Sequence, residues 1–167
     1  MRLELVPLEP EVLDALAGGR RDEAERALGV RIPPDRPDEH DTAFFELRAR
    51  ERLPLEWVRA VVCDGAMVGH AGFHGPPGRN GPGDPDAVEI GYTIFPEFRG
   101  RGHAQAAARA LVGFARERGV RRVLASVAPD NAPSLAVVRK VGFVETGEQW
   151  DEEHGRELVF ELPPEET

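Results

Sequence analysis

Glu89 interrupts an apolar run, Val88-Glu89-Ile90-Gly91-Tyr92-Thr93-Ile94-Phe95, which is followed by Pro96 and then by Arg99-Gly100-Arg101-Gly102-His103-Ala104. Two kinds of chemistry meet in this stretch. A carboxylate on a strand that lies centrally is buried, and burial tends to raise its proton affinity, which makes Glu89 a candidate general base acting directly or through a water. The alternative is that Glu89 faces solvent or pairs with an arginine. Small residues at Gly100, Gly102 and Ala104 let main-chain N–H groups approach an anion, and a helix opening there favours negative charge at its N-terminus. A strand feeding a glycine-rich turn that opens a helix is a cradle for phosphate groups. The Walker loop is excluded because no Gly-Lys-Ser/Thr ending follows, and the dinucleotide fingerprint because Gln105 stands where a third glycine belongs.

A second constellation lies downstream. After an apolar strand, Val123-Leu124-Ala125-Ser126-Val127, come Asn131-Ala132-Pro133-Ser134, a short helical stretch and Gly142-Phe143. Together with the strand and the Arg99-x-x-Gly102-x-Ala104 turn, this order resembles the GNAT superfamily of acyl-CoA-dependent N-acyltransferases. The resemblance is sharp over residues 86–162 and loose over the first half. Its nearest branch is that of the ribosomal-protein N-terminal acetyltransferases, in which Glu-Ile-Gly-Tyr also recurs on the central strand.

The resemblance implies one α/β domain over residues 1–167, with a frayed tail at 162–167, built on a mixed, largely antiparallel sheet splayed near its centre with helices on both faces. It implies transfer of an acetyl group from the co-substrate acetyl-CoA to a primary amine, a peptide or protein N-terminus. A small amine (antibiotic, polyamine or amino-acid derivative) is the alternative acceptor, and a CoA-binding module without catalysis is a third reading. In the same resemblance, main-chain groups of Tyr92, Thr93 and Ile94 meet the pantetheine arm. Amides of Arg99, Gly100, Arg101, Gly102, His103 and Ala104 meet the pyrophosphate, His103 through its amide rather than its ring. A splayed gap between this strand and the one at Val123–Val127 admits the arm, and a strand amide there serves as oxyanion donor. Arg99 and Arg101 either add charge at the phosphates or lie on a solvated surface; Arg139 and Lys140 could reach a phosphate too, with the solvated surface the favoured reading for them.

One position departs from the family's common pattern. Many relatives place a tyrosine seven residues after the asparagine, where its hydroxyl protonates the departing thiolate, and this chain has Val138. Ser134 is the nearest substitute, with water as the other acid, and Asn131 holds the pantetheine or the helix entrance. Both residues also suit the capping of a helix.

The elements that must position these groups alternate along the chain. Leu3–Val6 reads as a strand, and Glu11–Leu16 and Asp22–Leu28 as helices around Gly18-Gly19. Pro33, Pro34 and Pro37 forbid helix before Asp41, which is placed to cap a helix running to about Leu53 on contacts from Phe44, Phe45 and Leu47. Trp57–Cys63 and Met67–Phe73 form a hairpin around Asp64-Gly65. Gly75–Asp86, rich in Gly and Pro, reads as a mobile loop that is either a lid or acceptor contact, or a simple connector. A helix over Gly102–Arg118 turns Ala107, Ala110, Leu111, Phe114 and Ala115 to one face and stops at Gly119. Strands at Phe143–Gln149 and Glu157–Leu162 flank a turn at Glu153-His154-Gly155.

Composition narrows the class. The 167 residues suffice for one sizeable core, and the net charge of −9 disfavours binding to nucleic acid while suiting a basic acceptor. No apolar run spans a bilayer and Met1-Arg2-Leu3-Glu4 does not start a signal peptide, so a cytoplasmic location without membrane attachment is expected. Cys63 is alone, and no cysteine and histidine cluster suggests a metal. His70 and His74 share a face of one expected strand without a third ligand. Trp57, Tyr92 and Trp150 are candidates for an acceptor pocket or for core, and Asp151-Glu152-Glu153 either attracts an amine or is a solvated turn. A homodimer is the default on base rates alone.

Overall fold

The computed structural model describes residues 2–51, 57–152 and 154–164. Among these the chain order is β1 (Leu3–Pro7), α1 (Pro10–Ala17), α2 (Arg21–Leu28), α3 (Glu39–Glu51), β2 (Val58–Cys63), β3 (Ala66–Phe73), β4 (Ala87–Ile94), α4 (His103–Glu117), β5 (Arg122–Val127), α5 (Ala132–Val141), β6 (Val144–Asp151) and β7 (Gly155–Leu162). The strands are hydrogen-bonded in the order β1-β2-β3-β4-β5-β7-β6. The β4–β5 pair is parallel, and β1–β2, β5–β7 and β6–β7 are antiparallel. This is the mixed α/β sheet expected from the sequence. The chain divides into two compact units, Met1–Ala71 with Thr93–His103, and Gly72–Tyr92 with Ala104–Thr167.

In the first unit, Asp64 and Gly65 both take left-handed backbone, at φ 51° and 79°, and join β2 to β3 in a two-residue turn. Such turns match the right-handed twist of the strands they connect. The core of this unit gathers Leu8, Leu16, Ile32, Phe45, Met67 and Phe95, all within 1% of full burial. Each such side chain contributes about 1.5–3 kcal/mol relative to leaving it exposed. Gly69 is required for another reason: a Cβ there would stand 2.1 Å from the Thr93 carbonyl oxygen, so β3 and β4 approach too closely for any side chain.

The start of α3 differs from expectation. The cap is Asp38, whose Oδ1 accepts the Asp41 N–H at 2.9 Å while Asp41 Oδ2 accepts the Asp38 N–H at 2.9 Å. Asp41 is thus the inward-reaching half of a reciprocal cap three residues along, which satisfies two orphan donors at once. Leu47, expected to supply apolar contact, is 49% exposed, whereas Phe45 is fully buried. The expected helix end at Leu53 lies outside the described residues, as does Glu153.

In the second unit α4 buries Ala107, Ala108, Leu111, Val112 and Ala115. Ala110, assigned to that face from the sequence, is exposed. The buried positions fall at i, i+4 and i+8 from Ala107 and i, i+4 from Ala108, a stripe that misses Ala110. Both helices of this unit end on a left-handed glycine, Gly119 at φ 76° and Gly142 at φ 109°. The Phe143 N–H closes α5 on the Val138 carbonyl at 2.9 Å, and Val120 does the same for Ala115 at 3.0 Å.

Residues 75–86, expected to be mobile, are laced by side chains. Asn80 Nδ2 donates to the Asp84 and Ala87 carbonyls at 2.8 and 3.0 Å, and its Oδ1 accepts the Asp84 N–H at 2.9 Å. Asp84 in turn pairs with Arg122, which also holds Glu161 of β7. Polar side chains in this loop replace the ladder that a Pro- and Gly-rich segment cannot form.

Candidate active site

β4 and β5 keep register from Ala87↔Arg122 to Ile90↔Ala125, and their pairing ends there. β5 remains paired with β7 through Val127↔Leu158. From Gly91 onward, therefore, β4 runs without its β5 partner. A cavity of about 370 Å³ opens at this parting, lined by Glu89, Tyr92, Asn131, Ser134, Val138 and groups from the β6–β7 hairpin. The structure thus brings together four residues singled out in the sequence: Glu89, Tyr92, Asn131 and Ser134.

Glu89 is 2% exposed. Its Oε1 accepts the Gly81 N–H at 2.8 Å, and its Oε2 lies 3.1 Å from His74 Nδ1. A buried carboxylate needs such partners, because an unpaired one costs several kcal/mol in effective desolvation. A Cβ at Gly81 would stand 2.1 Å from the Gln149 side-chain amide, so any larger residue there would displace the end of that side chain.

Across the cavity the Tyr92 hydroxyl lies 2.9 Å from Ser134 Oγ. Burial pushes the Tyr92 phenol above its usual range, and the Ser134 bond pulls the other way with less effect. Val138, which occupies the position of the family's common tyrosine, is fully buried and lines the same cavity. Asn131 caps α5, its side chain accepting the Ser134 N–H at 3.2 Å. Capping therefore fixes Ser134 on the first turn, with its hydroxyl toward Tyr92.

Two members of the site escape sequence reasoning. The sequence sets His74 on one strand face with His70, but β3 ends at Phe73, so the alternation does not reach His74. His70 is 5% exposed and stacks on Phe44 at 4.2 Å, and burial, with Arg48 nearby, pushes it down to about 4. Gln149 donates from Nε2 to Ser126 Oγ at 3.0 Å and to Glu157 Oε1 at 3.2 Å. No local signal marks either role, because the partners come from other strands. Of the aromatic candidates Tyr92 lines the cavity, while Trp57 is buried and Trp150 is 76% exposed. Asp151 also lines it, paired with His154.

The glycine-rich turn belongs to the first unit as far as His103. Gly100 and Gly102 take φ 78° and 82°, with open space where a Cβ would stand, so the backbone conformation alone demands glycine. Among the described residues, the backbone bonds of this turn stop at Arg99 N–H to the Pro96 carbonyl, 3.3 Å, and leave the amides of Gly100 to Gly102 unspent. Arg99 Nε donates to the Ile94 carbonyl at 3.0 Å, and the Arg101 guanidinium lies 5.7 Å from the Phe98 ring. The His103 ring is buried. Burial, and then Arg101, hold that imidazole below its usual range.

Arg36, which carries no signal in the sequence, fixes the entry to the turn. Its guanidinium bonds Glu97 at 3.2 Å and Asp41 at 3.2 Å, pairs with Asp38, and lies 4.8 Å from the Phe95 ring. The Arg36 bond holds the Glu97 carboxyl below the ordinary range.

The family profile described as acetyltransferase (GNAT) domain matches residues 2–144. The chain belongs to this family, and the match includes the first half, where motifs alone were loose. YdaF of Bacillus subtilis strain 168, provisionally named a ribosomal N-acetyltransferase, is 36% identical over 104 residues, 61% of this chain and 54% of that one. The chain spans about half the length of the curated relatives it matches. Among solved structures, a ribosomal-protein-alanine N-acetyltransferase from Brucella melitensis superposes with a TM-score of 0.59 at 25% identity, covering 96% of this chain and 98% of that one. A provisionally assigned acetyltransferase from Salmonella typhimurium, solved with its cofactor acetyl-CoA, gives 0.61 at 20% identity over 99% and 95% of the two chains. Among the described residues no helix is long and apolar enough to cross a membrane.

Proposed function

We propose that the chain transfers an acetyl group from acetyl-CoA to a primary amine, with a peptide or protein N-terminus as the acceptor. The observation that carries this reading is the parting of β4 from β5 after Ile90↔Ala125, with a carboxylate and a hydroxyl pair lining the cavity it opens. Relatives named as ribosomal N-acetyltransferases support the acceptor class.

Acetyl-CoA supplies an activated carbonyl as its thioester. In the first unit, the turn's left-handed glycines and the amides that have no backbone partner among the described residues are suited to a pyrophosphate. The β4 backbone past Ile90, which has left its β5 partner, is suited to the pantetheine arm, and an amide there to the developing oxyanion. Holding amine and thioester together is worth about 7–11 kcal/mol of the barrier, so the grip on the cofactor is itself catalytic. The amine's proton is removed at Glu89, directly or through a water. The departing thiolate draws a proton through Tyr92 and Ser134, which together occupy the role that Val138 cannot fill. The reaction takes place in the cytoplasm in this reading.

The test is thiol release from acetyl-CoA in the presence of alanine- and serine-initiated peptides, spermidine or amino-acid amides. Release with a peptide is expected. Release with small amines alone would move the acceptor class, and binding of acetyl-CoA without release from any of them would leave a non-catalytic CoA module. Binding itself is read by thermal shift, since a ligand at a hundredfold excess over its Kd stabilises by about 2.7 kcal/mol.

A further inference from the structure

We infer that Arg36 is a positioning residue for the cofactor turn: by gripping Glu97 it sets the affinity of the amides at residues 100–102 for the diphosphate of acetyl-CoA. The inference rests on the acetyl-transfer reading and names a residue that acts at its cofactor end. Its ground is the geometry of the grip. Arg36 Nε donates to Glu97 Oε1 at 3.4 Å and Nη2 to Oε2 at 3.2 Å, two parallel bonds that match a guanidinium fork to a carboxylate. The two residues stand 61 positions apart in the chain. The Glu97 bond is the foremost cause that raises the Arg36 guanidinium above its ordinary range, and the Arg36 bond is the foremost cause that lowers the Glu97 carboxyl.

Glu97 is the middle residue of a single 3₁₀ turn, Pro96–Phe98, that leads straight into the glycines. The Phe98 N–H donates to the Phe95 carbonyl at 2.9 Å, and the Arg99 N–H to the Pro96 carbonyl at 3.3 Å. These bonds are local, whereas the Arg36 fork ties the segment to one distant in sequence. Gly100 and Gly102 have left-handed backbone and no Cβ to restrain them, so the direction of their amides is inherited from the residues just before. An anion site made of main chain loses affinity when its N–H groups are not held toward one point, because binding must then order them.

Arg36 does not meet the diphosphate itself. Its side chain is 11% exposed, and all three guanidinium nitrogens bond carboxylates, Nε and Nη2 on Glu97 and Nη1 on Asp38 and Asp41. The face of the group lies 4.8 Å from the Phe95 ring. Three carboxylates around one cation also make the cluster acidic, which disfavours an anion within a Debye length. Contact by charge and control by position therefore predict opposite results when Glu97 loses its charge.

Glu97→Gln is the deciding variant, and at 40% exposure the Glu97 side chain can be changed without loss of the fold. It removes a negative charge beside the turn and frees the Arg36 fork, so a charge contact would tighten acetyl-CoA. Loss of position should instead raise the Kd about tenfold, the worth of one charge-assisted hydrogen bond. Arg36→Met should raise it by a similar factor, Arg36→Lys by less, and Arg36→Met with Glu97→Gln by no more than the larger single change. Turnover at saturating acetyl-CoA should stay within about twofold in each. Asp41→Ala is the control for a merely structural role, since it breaks the α3 cap and leaves the Glu97 fork: Tm should fall while the Kd stays within about twofold. Backbone NMR order parameters of the free protein should drop at Gly100 and Gly102 in Glu97→Gln but not at Gly65. Unchanged or tighter binding in Glu97→Gln, multiplied losses in the double variant, or a Kd that rises as much in Asp41→Ala would each overturn the inference. A wild type that binds no acetyl-CoA removes the acetyl-transfer reading instead, and the order parameters still decide whether Arg36 holds the turn.

Discussion

The two units use polar groups in opposite ways. In the first, polar side chains are spent on the protein itself: His70 between aromatic rings, Arg36 on three carboxylates, Arg99 on the Ile94 carbonyl. In the proposed reading, what its glycine-rich turn leaves for a ligand is main chain. In the second, side chains occur in facing pairs around a cavity, His74 with Glu89 and Tyr92 with Ser134. The comparison teaches that a binding function built on backbone leaves its trace in glycine, whereas a chemical function built on side chains depends on which strands are neighbours.

The largest expected effect tests whether His70 belongs to the fold alone. Its folded value of about 4 lies below the ordinary 6.5, so the unfolded chain binds more protons between those limits. Stability is therefore full above about pH 6.5 and falls as pH drops toward about 4, by on the order of 3 kcal/mol. Urea unfolding at a series of pH values should show this slope, and His70→Phe should remove it while turnover at pH 8 stays the same. Lost turnover with an unchanged slope would break the division between the units.

Gly102→Val comes next. A β-branched residue at φ 82° costs about 1–2 kcal/mol and displaces the turn's amides, so the KM for acetyl-CoA should rise roughly tenfold with kcat nearly unchanged. A fall in kcat alone would show that the turn does more than bind. Tyr92→Phe should do the reverse, lowering kcat about fivefold, the worth of about one hydrogen bond, at constant KM. Because burial holds the phenol protonated past its usual range, wild-type kcat should show no alkaline limb from Tyr92 up to about pH 10. The smallest effect is expected from Arg99→Ala. With its Nε already engaged by Ile94, removal should change the KM for acetyl-CoA by only about twofold at an exposed site. A larger change would mean that the turn grips by side-chain charge as well as by main chain.

Much of the fold was legible because the signals were local. Asp64-Gly65, Gly119 and Gly142 each mark a left-handed position that few other residues tolerate, and Asn131 before Pro133 marks a helix start. Errors arose where two local readings compete. Asp38 and Asp41 are equally good caps in isolation, and the reciprocal bond needs both, so sequence could not rank them. Ala110 is apolar and close to the buried stripe, and only packing separates it from Ala108. Glu89, Tyr92, Asn131 and Ser134 could be singled out because they sit inside ordered motifs, and the structure sets all four around one cavity. Arg36, His74 and Gln149 carry no motif.

By itself the sequence determined the order of elements, the turn that offers its amides, and a carboxylate on a strand too apolar to be exposed. These follow from steric limits on φ, from side-chain periodicity and from the cost of burying charge, all of which act within a few residues of chain. Only the tertiary structure decided where β4 leaves β5, that Gly81 reaches Glu89 across the loop, and that one histidine is entombed while another four residues on meets a carboxylate. Those outcomes depend on contacts between segments far apart in sequence, and no local preference encodes them.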